Sequence, residues 1–427
     1  MNPRRAAASF LLLMSCSWAL ATGPMPAGGA DPGLRRLVAE ALSANPEILA
    51  ARSEVEAARM RVAPAAALED PMLEVGLLNV PTDSWRLNRE DMTMKMLGLA
   101  QKLPFPGKRG LRRNVAEKDV LSLEHGLRET GNRVAREVKL AYFDLALARE
   151  TSRQLRETTL VLEQFQRIAD GRYTVGLGTQ ADAFKARTQL AKMSEELLRM
   201  EREIPVMEAE LARLLGRGAS AAAFAASLPE PPAAGPDLAA LREAAQRQRP
   251  QFLALREMVD KADLSVDLAR REYQPDFDVR LSYGQRENML DGTRRPDMMS
   301  LTVAVNLPIW GREKVEPRIA EARAMRDQAR SMLFAQENET FAKLRQQTAL
   351  IEQSRQSVRL YDGAILPQAA LAVESALASY RVNRADLLML LDSQMSLFNY
   401  RIGRATALAA IHKAQAEIEQ LVGSPQP

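Results

Sequence analysis

The chain has 427 residues, 46% of them hydrophobic, 26% charged and 5% aromatic. Against 54 acidic residues stand 58 basic ones, a formal charge of +4 that is too balanced for a nucleic-acid-binding chain. Two histidines far apart, His125 and His412, and one cysteine, Cys16, exclude a disulfide scaffold, a Cys/His zinc site and a histidine-based triad. No internal apolar run reaches the roughly 18–20 residues of a membrane helix, so any crossing of a bilayer must use strands.

The N-terminus carries Arg4 and Arg5, an apolar stretch from Ala6 to Ala19, and a small-x-small site at Ala19-Leu20-Ala21. Residues 1–21 therefore read as a cleaved secretory signal. Leu13-Met14-Ser15-Cys16 is an imperfect lipoprotein box, so lipidation at Cys16 is the alternative to cleavage after Ala21. Residues 22–32 are rich in Gly, Pro and Ala and read as disordered.

The rest of the chain is one unit written twice. Asn45-Pro46 recurs as Arg249-Pro250, Asp70-Pro71 as Gln274-Pro275, Leu103-Pro104 as Leu307-Pro308, and Gly107 as Gly311, all 204 residues apart. Tyr173-Thr174-Val175-Gly176 answers to Tyr380-Arg381-Val382-Asn383 at 207. Prolines and glycines constrain the backbone, so a shared spacing of such marks signals a structural repeat. The first repeat is assigned to 33–227 and the second to 237–423. A Pro-rich linker, 228–236, lies between them, and 424–427 form a tail.

Each repeat has the same internal order. A helix kinked at its X-Pro step comes first, followed by a hairpin, 71–103 or 275–307. A very long helix follows, about 108–171 or 312–378, then a tip, 173–179 or 380–386, and a second helix, 180–215 or 386–422. In the first repeat Val134, Val138, Ala141, Leu145, Ala148, Ser152, Leu155, Thr159 and Leu162 step by four and three. Ala183, Ala186, Leu190, Met193, Leu197, Met200, Ile204, Met207, Leu211 and Leu214 continue the pattern after the tip. This 3.5-residue period predicts helices that supercoil about one another.

The strands separate a membrane protein from a soluble coiled coil. Phe277, Val279, Leu281 and Tyr283 alternate with polar or small residues, as do Leu301, Val303, Val305 and Leu307, and Leu73, Val75 and Leu77. Such dyads suit strands that cross a bilayer with one face to lipid. Four strands are too few to close a barrel, and an open edge in lipid costs several kcal/mol per unpaired group. Several copies must then share one barrel, and three copies would supply about twelve strands.

With this plan on the page, the chain resembles the TolC-type outer-membrane factors over nearly all of its mature length. The segment Leu103-Pro104-Phe105-Pro106-Gly107-Lys108-Arg109 is similar to the heavy-metal efflux branch, the CzcC/CusC-like ducts. The resemblance implies an α+β membrane protein: a homotrimer with a 12-stranded β-barrel and a periplasmic α-barrel of coiled helices. It also implies a passive exit duct of a tripartite pump, without cofactor, enzymatic activity or nucleic-acid partner. The implied partners are a periplasmic adaptor, an inner-membrane transporter of the RND type and outer-membrane lipid. A drug-efflux or type I secretion duct of the same fold is the alternative, and a soluble periplasmic scaffold is a further one.

The candidate sites follow. Val175, Gly176, Leu177, Gly178 and Thr179 match the family's adaptor-docking turn. Val382, Asn383 and Arg384 form the second tip, where Asn replaces Gly but tolerates a left-handed turn. Asp392 matches an acidic position that rings the family's periplasmic aperture. The neighbouring acid falls at Met389, and Asp386 is its candidate substitute. Phe105, Gly107, Trp310 and Gly311 are placed at the inner lipid interface, with Lys108, Arg109 and Arg312 near headgroups. Met92, Met94 and Met96 alternate and share the polar face of a strand. A thioether stripe suits soft cations, although methionine is equally a packing residue.

Overall fold

The structure is a computed structural model that describes residues 32–218, 224–231 and 235–423. The signal segment 1–21 with Cys16, residues 22–31 and the tail 424–427 lie outside the described residues. In chain order the elements are α1 (Pro32–Ala44), α2 (Pro46–Ala66), β1 (Met72–Leu78), β2 (Met94–Leu103), α3 (Lys108–Thr174) and α4 (Gln180–Leu214). The second half follows as α5 (Leu238–Gln248), α6 (Pro250–Arg271), β3 (Phe277–Gln285), β4 (Met298–Val305), α7 (Gly311–Leu360), α8 (Leu366–Arg381) and α9 (Leu387–Val422).

Each X-Pro step separates two helices. Asn45 caps α2, its Oδ1 accepting from Glu47 N at 2.8 Å, while its Nδ2 donates to Leu214 O at 2.8 Å. Its counterpart Arg249 provides no side-chain cap. Instead its buried guanidinium donates to Thr340 and lies 3.7 Å from Glu129. The same backbone break is thus held by two different chemistries.

α3 has 67 residues, about 100 Å at 1.5 Å per residue. The stepped positions form its buried seam: Val134, Val138, Leu145, Ala148, Ser152, Leu155 and Leu162 are all buried. The second long helix is not continuous. Where one helix was expected over 312–378, a π-helical turn at Tyr361–Ile365 divides α7 from α8. The repeat spacing rises from 204 at Gly107/Gly311 to 207 at Tyr173/Tyr380, so three residues have been added between these marks. A widened turn is one way a helix absorbs extra residues without losing its packing face.

Three apolar cores stack along the helices. One gathers α1, the middle of α3 and the end of α4 around Val138, Tyr142 and Leu211. A second, towards the tips, joins α3, α4, α8 and α9 around Leu162, Met193 and Leu390. The third joins α5, α6, α7 and the end of α9 around Phe252, Ile351 and Ile411. The described part of the linker is strapped to this body. Pro229 O meets His412 Nε2 at 2.9 Å, and Glu230 pairs with Arg404 at 2.8 Å.

The four strands form one antiparallel sheet in the order β1-β2-β3-β4, so the two repeats join where β2 pairs with β3. Leu73, Leu99, Leu281 and Leu301 stand in one row across it. Val75, Leu97, Tyr283 and Met299 form the next row on that face. All eight are exposed, Val75 at 77% and Leu301 at 69%. The opposite face carries Glu74, Gly98, Ser282 and Ser300 in one row and Met72, Ala100, Arg280 and Thr302 in another. Glu74 and Arg280 pair there at 3.2 Å. The sheet therefore has one apolar and one polar face, and both its edges, β1 and β4, are open. Every residue of β4 is exposed. Among the described residues no helix is long and apolar enough to cross a membrane.

Candidate functional site

The two tips lie side by side at the end of the helical body. α3 ends in a left-handed turn: Gly176 has φ +71°, and Leu177 N and Gly178 N both donate to Arg172 O, at 2.9 and 3.0 Å. Gly178 is needed for a different reason, since a Cβ there would meet Arg172 Cβ at 3.1 Å and Tyr173 N at 3.2 Å. Thr179 then caps α4 in a reciprocal capping box with Asp182.

The second tip repeats this geometry with other residues. Asn383 takes φ +61° in the place of Gly176. Asp386 stands where Thr179 stands and caps α9, its Oδ1 accepting from Met389 N at 2.9 Å. Asp386 thus has a structural role as the cap of α9. Asp392 and Met389 lie on one exposed face of α9 together with Leu388. No cation stands within ion-pair distance of Asp392 among the described residues.

One residue binds the tips together that the sequence reading did not single out. Arg172, in the last turn of α3, donates to Tyr380 O, to Leu177 O at 3.0 Å and to Asn383 Oδ1 at 2.7 Å. Its guanidinium carbon also lies 4.6 Å from the centre of the Tyr380 ring. Tyr380 is 3% exposed, and burial raises the pKa of its phenol, with the Asp182 carboxylate adding to the shift. Around this clamp the apolar side chains Val175, Leu177 and Val382 are about two-thirds exposed. These side chains form an exposed apolar patch on a turn held by hydrogen bonds.

At the other end of the helices, Gly107 enters α3 with φ +93°, and Gly311 opens α7 against the Tyr273 ring. Phe105 is half-buried, its N donating to Asp276 Oδ1 at 2.8 Å, while Trp310 is 59% exposed beside Ile309 at 74%. Lys108 was expected near headgroups, but it is buried. Its Nζ donates to Asp276 Oδ1 at 2.8 Å and to Gln274 O at 2.9 Å, tying the start of α3 to the start of β3. Arg109 is also engaged, its Nε donating to Ala66 O at 2.7 Å.

The methionine stripe is shorter than expected. Met92 lies in the loop before β2, whereas Met94 and Met96 lie within it on the polar face of the sheet. Among the described residues no group of three or more His, Cys, Asp or Glu side chains converges to hold a metal.

Comparison with known proteins agrees with this architecture. The chain matches the model of the family described as outer membrane efflux protein over residues 37–217 and 241–424. It is 23% identical over 387 residues to the cobalt-zinc-cadmium resistance protein CzcC of Cupriavidus metallidurans, covering 90% of this chain and 88% of that one. The outer membrane protein VceC of Vibrio cholerae superposes with a TM-score of 0.78 at 18% identity, covering 92% of this chain and 96% of the other. CusC, described as undergoing transmembrane channel formation, gives 0.77 at 16% identity, with 92% and 93% covered.

Proposed function

Because the chain belongs to the outer membrane efflux protein family, and is thus an outer-membrane transport protein and not an enzyme, we propose that it is the exit duct of a tripartite metal-efflux pump. In this reading it assembles as a homotrimer whose sheets close one barrel. The observation that carries the reading is the four-stranded sheet itself. It has an exposed leucine-rich face, a polar face and two unpaired edges. Backbone groups on such edges cannot be left bare in lipid, and one copy is too narrow to seal itself. Pairing β4 of each copy with β1 of the next removes every edge, and three copies give about twelve strands.

The cargo reading rests on the likeness to CzcC. The Leu103–Arg109 segment supports it. The driving force comes from an inner-membrane transporter of the RND type, because a duct of this kind has no energy source of its own. A periplasmic adaptor docks on the tips through Val175, Leu177 and Val382. It opens the aperture by binding the open arrangement more tightly than the closed one. Asp392 and its copies line that aperture and favour cations over anions.

The test is direct. The mature chain, purified in detergent, should run as a trimer and conduct ions in planar bilayers. Loss of its gene should sensitise the cell to divalent metals. A monomeric, water-soluble product with no conductance would overturn the duct, and unchanged metal tolerance would overturn the cargo.

A further inference from the structure

Methionine sulfur gathers around one glycine on the polar face of the sheet. The pairing places Met96 of β2, Gly284 of β3 and Met298 of β4 in a single row. Gly284 has no side chain, so an open floor separates the two methionines. Adjacent strands lie about 4.8 Å apart, which puts Met96 and Met298 about 10 Å apart at the backbone. Both flanking residues carry long, flexible thioether side chains. The sulfur of Met94 already stands over the floor, and a Cβ built on Gly284 would lie 2.4 Å from Met94 Sδ. Met94 is 8% exposed, whereas Met298 is 40% exposed and open to the polar side.

The surroundings of these residues on the sheet are mixed. The neighbouring row on this face is Glu74, Gly98, Ser282 and Ser300, and the outward face has its own continuous leucine-rich surface. These thioethers share the face with Leu78, which pairs with Met94, with Met72 and Ala100, and with the serines and the Glu74–Arg280 ion pair, so they form a sulfur-rich patch on a mixed wall. Thioethers are soft, neutral ligands that select Cu(I) and Ag(I) over Zn(II) or Co(II). Being neutral, they leave a bound ion its charge and hold it weakly enough for onward movement.

We propose that Met94, Met96 and Met298, grouped around Gly284 by the strand register, form a transit site for a soft monovalent cation, Cu(I) or Ag(I), on the lumen wall of the barrel. The proposal rests on the duct reading for the word lumen, and it names a class of cargo different from the one in the CzcC name. The sulfur-lined site itself depends only on this sheet.

The test is titration of the full-length trimer in detergent with Ag(I), with X-ray absorption at the silver edge. The expected result is one ion bound per chain in a sulfur-only first shell. Met94→Leu, Met96→Leu and Met298→Leu should each weaken binding about ten-fold or more, a change of about 1.4 kcal/mol. Gly284→Ala should do the same by displacing the Met94 sulfur. Met299→Leu, on the outward face, should change nothing. No stoichiometric binding by the wild-type chain, a first shell without sulfur, or unchanged binding in all three leucine variants would each overturn the site. Potassium chloride conductance of the same preparation reports separately on the duct, so a conducting channel without silver binding sinks this inference alone.

Discussion

Tyr173 and Tyr380 stand at matching points of the two repeats, yet Tyr173 is 47% exposed and Tyr380 is 3% exposed. Tyr380 is covered by the second apolar core and by Arg172. Its guanidinium covers the Tyr380 ring and bonds the backbone and Asn383 of the second tip. The position matching Arg172 in the second repeat is Ser379, which cannot return the contact. The clamp therefore runs one way, from the first tip onto the second.

Arg172→Ala should release the second tip while trimer and barrel survive. Each hydrogen bond to a charged donor is worth about 1.5–3 kcal/mol when desolvated, and less here because Arg172 is only half-buried. Spin labels at Leu177 and Val382 should show a broadened distance distribution, and the closed channel should leak several-fold more current. Arg172→Lys should fail to restore either readout, because a single ammonium cannot bond three acceptors and stack on a ring together. A narrow wild-type distribution in the alanine variant would remove Arg172 from the clamp.

Gly176 and Asn383 make an internal pair of controls, since both sit in left-handed backbone at φ +71° and +61°. Gly176→Asn should be tolerated, because the second tip already uses that residue. Gly176→Val should cost about 1–2 kcal/mol and deform the turn, since a β-branched side chain resists that conformation. Pull-down of the adaptor should fall with valine and hold with asparagine. Equal capture by both variants would mean that the first tip is not the docking surface.

The periodic features of this chain were legible and the lateral ones were not. The dyads placed the strands, and the four-three steps placed the buried seam of α3, because both depend only on which face of an element is covered. Proline and glycine spacing revealed the repeat, but one pair went unread. Gly216 and Gly423, 207 apart, press against Ala44 O and Arg249 Cα at the two helix breaks, where a Cβ would come within 2.7 Å. Lys108 looked like a headgroup residue by its position, and only the fold brings Asp276 beside it. Arg172 could not be found by repeat reasoning, because its partner position is serine and its contacts on the second tip, Tyr380 and Asn383, lie 208 and 211 residues away.

The π turn leads to a prediction about the second long helix. Arg404 donates to Asp362 in that turn at 2.5 Å and to Glu230 of the linker at 2.8 Å, and these carboxylates raise its pKa further. Gly403 beside it leaves room for the Tyr361 hydroxyl, which a Cβ would meet at 2.5 Å. Arg404→Ala should therefore loosen the turn and detach the linker. Hydrogen exchange should rise in 361–365 and 228–231 and stay unchanged in the matching stretch of α3. Uniform exchange across both repeats would show that the latch does not hold the turn.

Asp392 tests the aperture. Its carboxylate is exposed on α9 with no partnering cation among the described residues, and in the proposed trimeric duct three such groups face one opening. Asp392→Asn should lower cation-over-anion selectivity and Asp392→Arg should invert it, both read as reversal potentials in a salt gradient. Asp386→Ala should act differently, lowering thermal stability by about 1 kcal/mol through loss of the α9 cap without changing selectivity. Selectivity that follows Asp386 and ignores Asp392 would exchange the two roles.

His412 supplies a pH dependence with a defined sign. The imidazole is 8% exposed, stacks on Phe143 at 4.8 Å and meets Pro229 O through Nε2. Burial lowers its pKa below the ordinary value, and the linker bond and nearby Glu230 only partly oppose this. The folded chain thus keeps His412 neutral at a pH where the unfolded chain has already taken up a proton. Stability is whole above about pH 6.5 and declines as the pH falls from there towards the lowered folded value. Glu129, whose pKa burial raises, acts in the opposite sense, because its folded form holds a proton longer than the unfolded chain does as pH rises. Thermal stability of the wild type should therefore fall as the pH drops below about 6.5, and His412→Gln should flatten that part of the curve. An identical slope in the glutamine variant would assign the acid sensitivity elsewhere in the helical body.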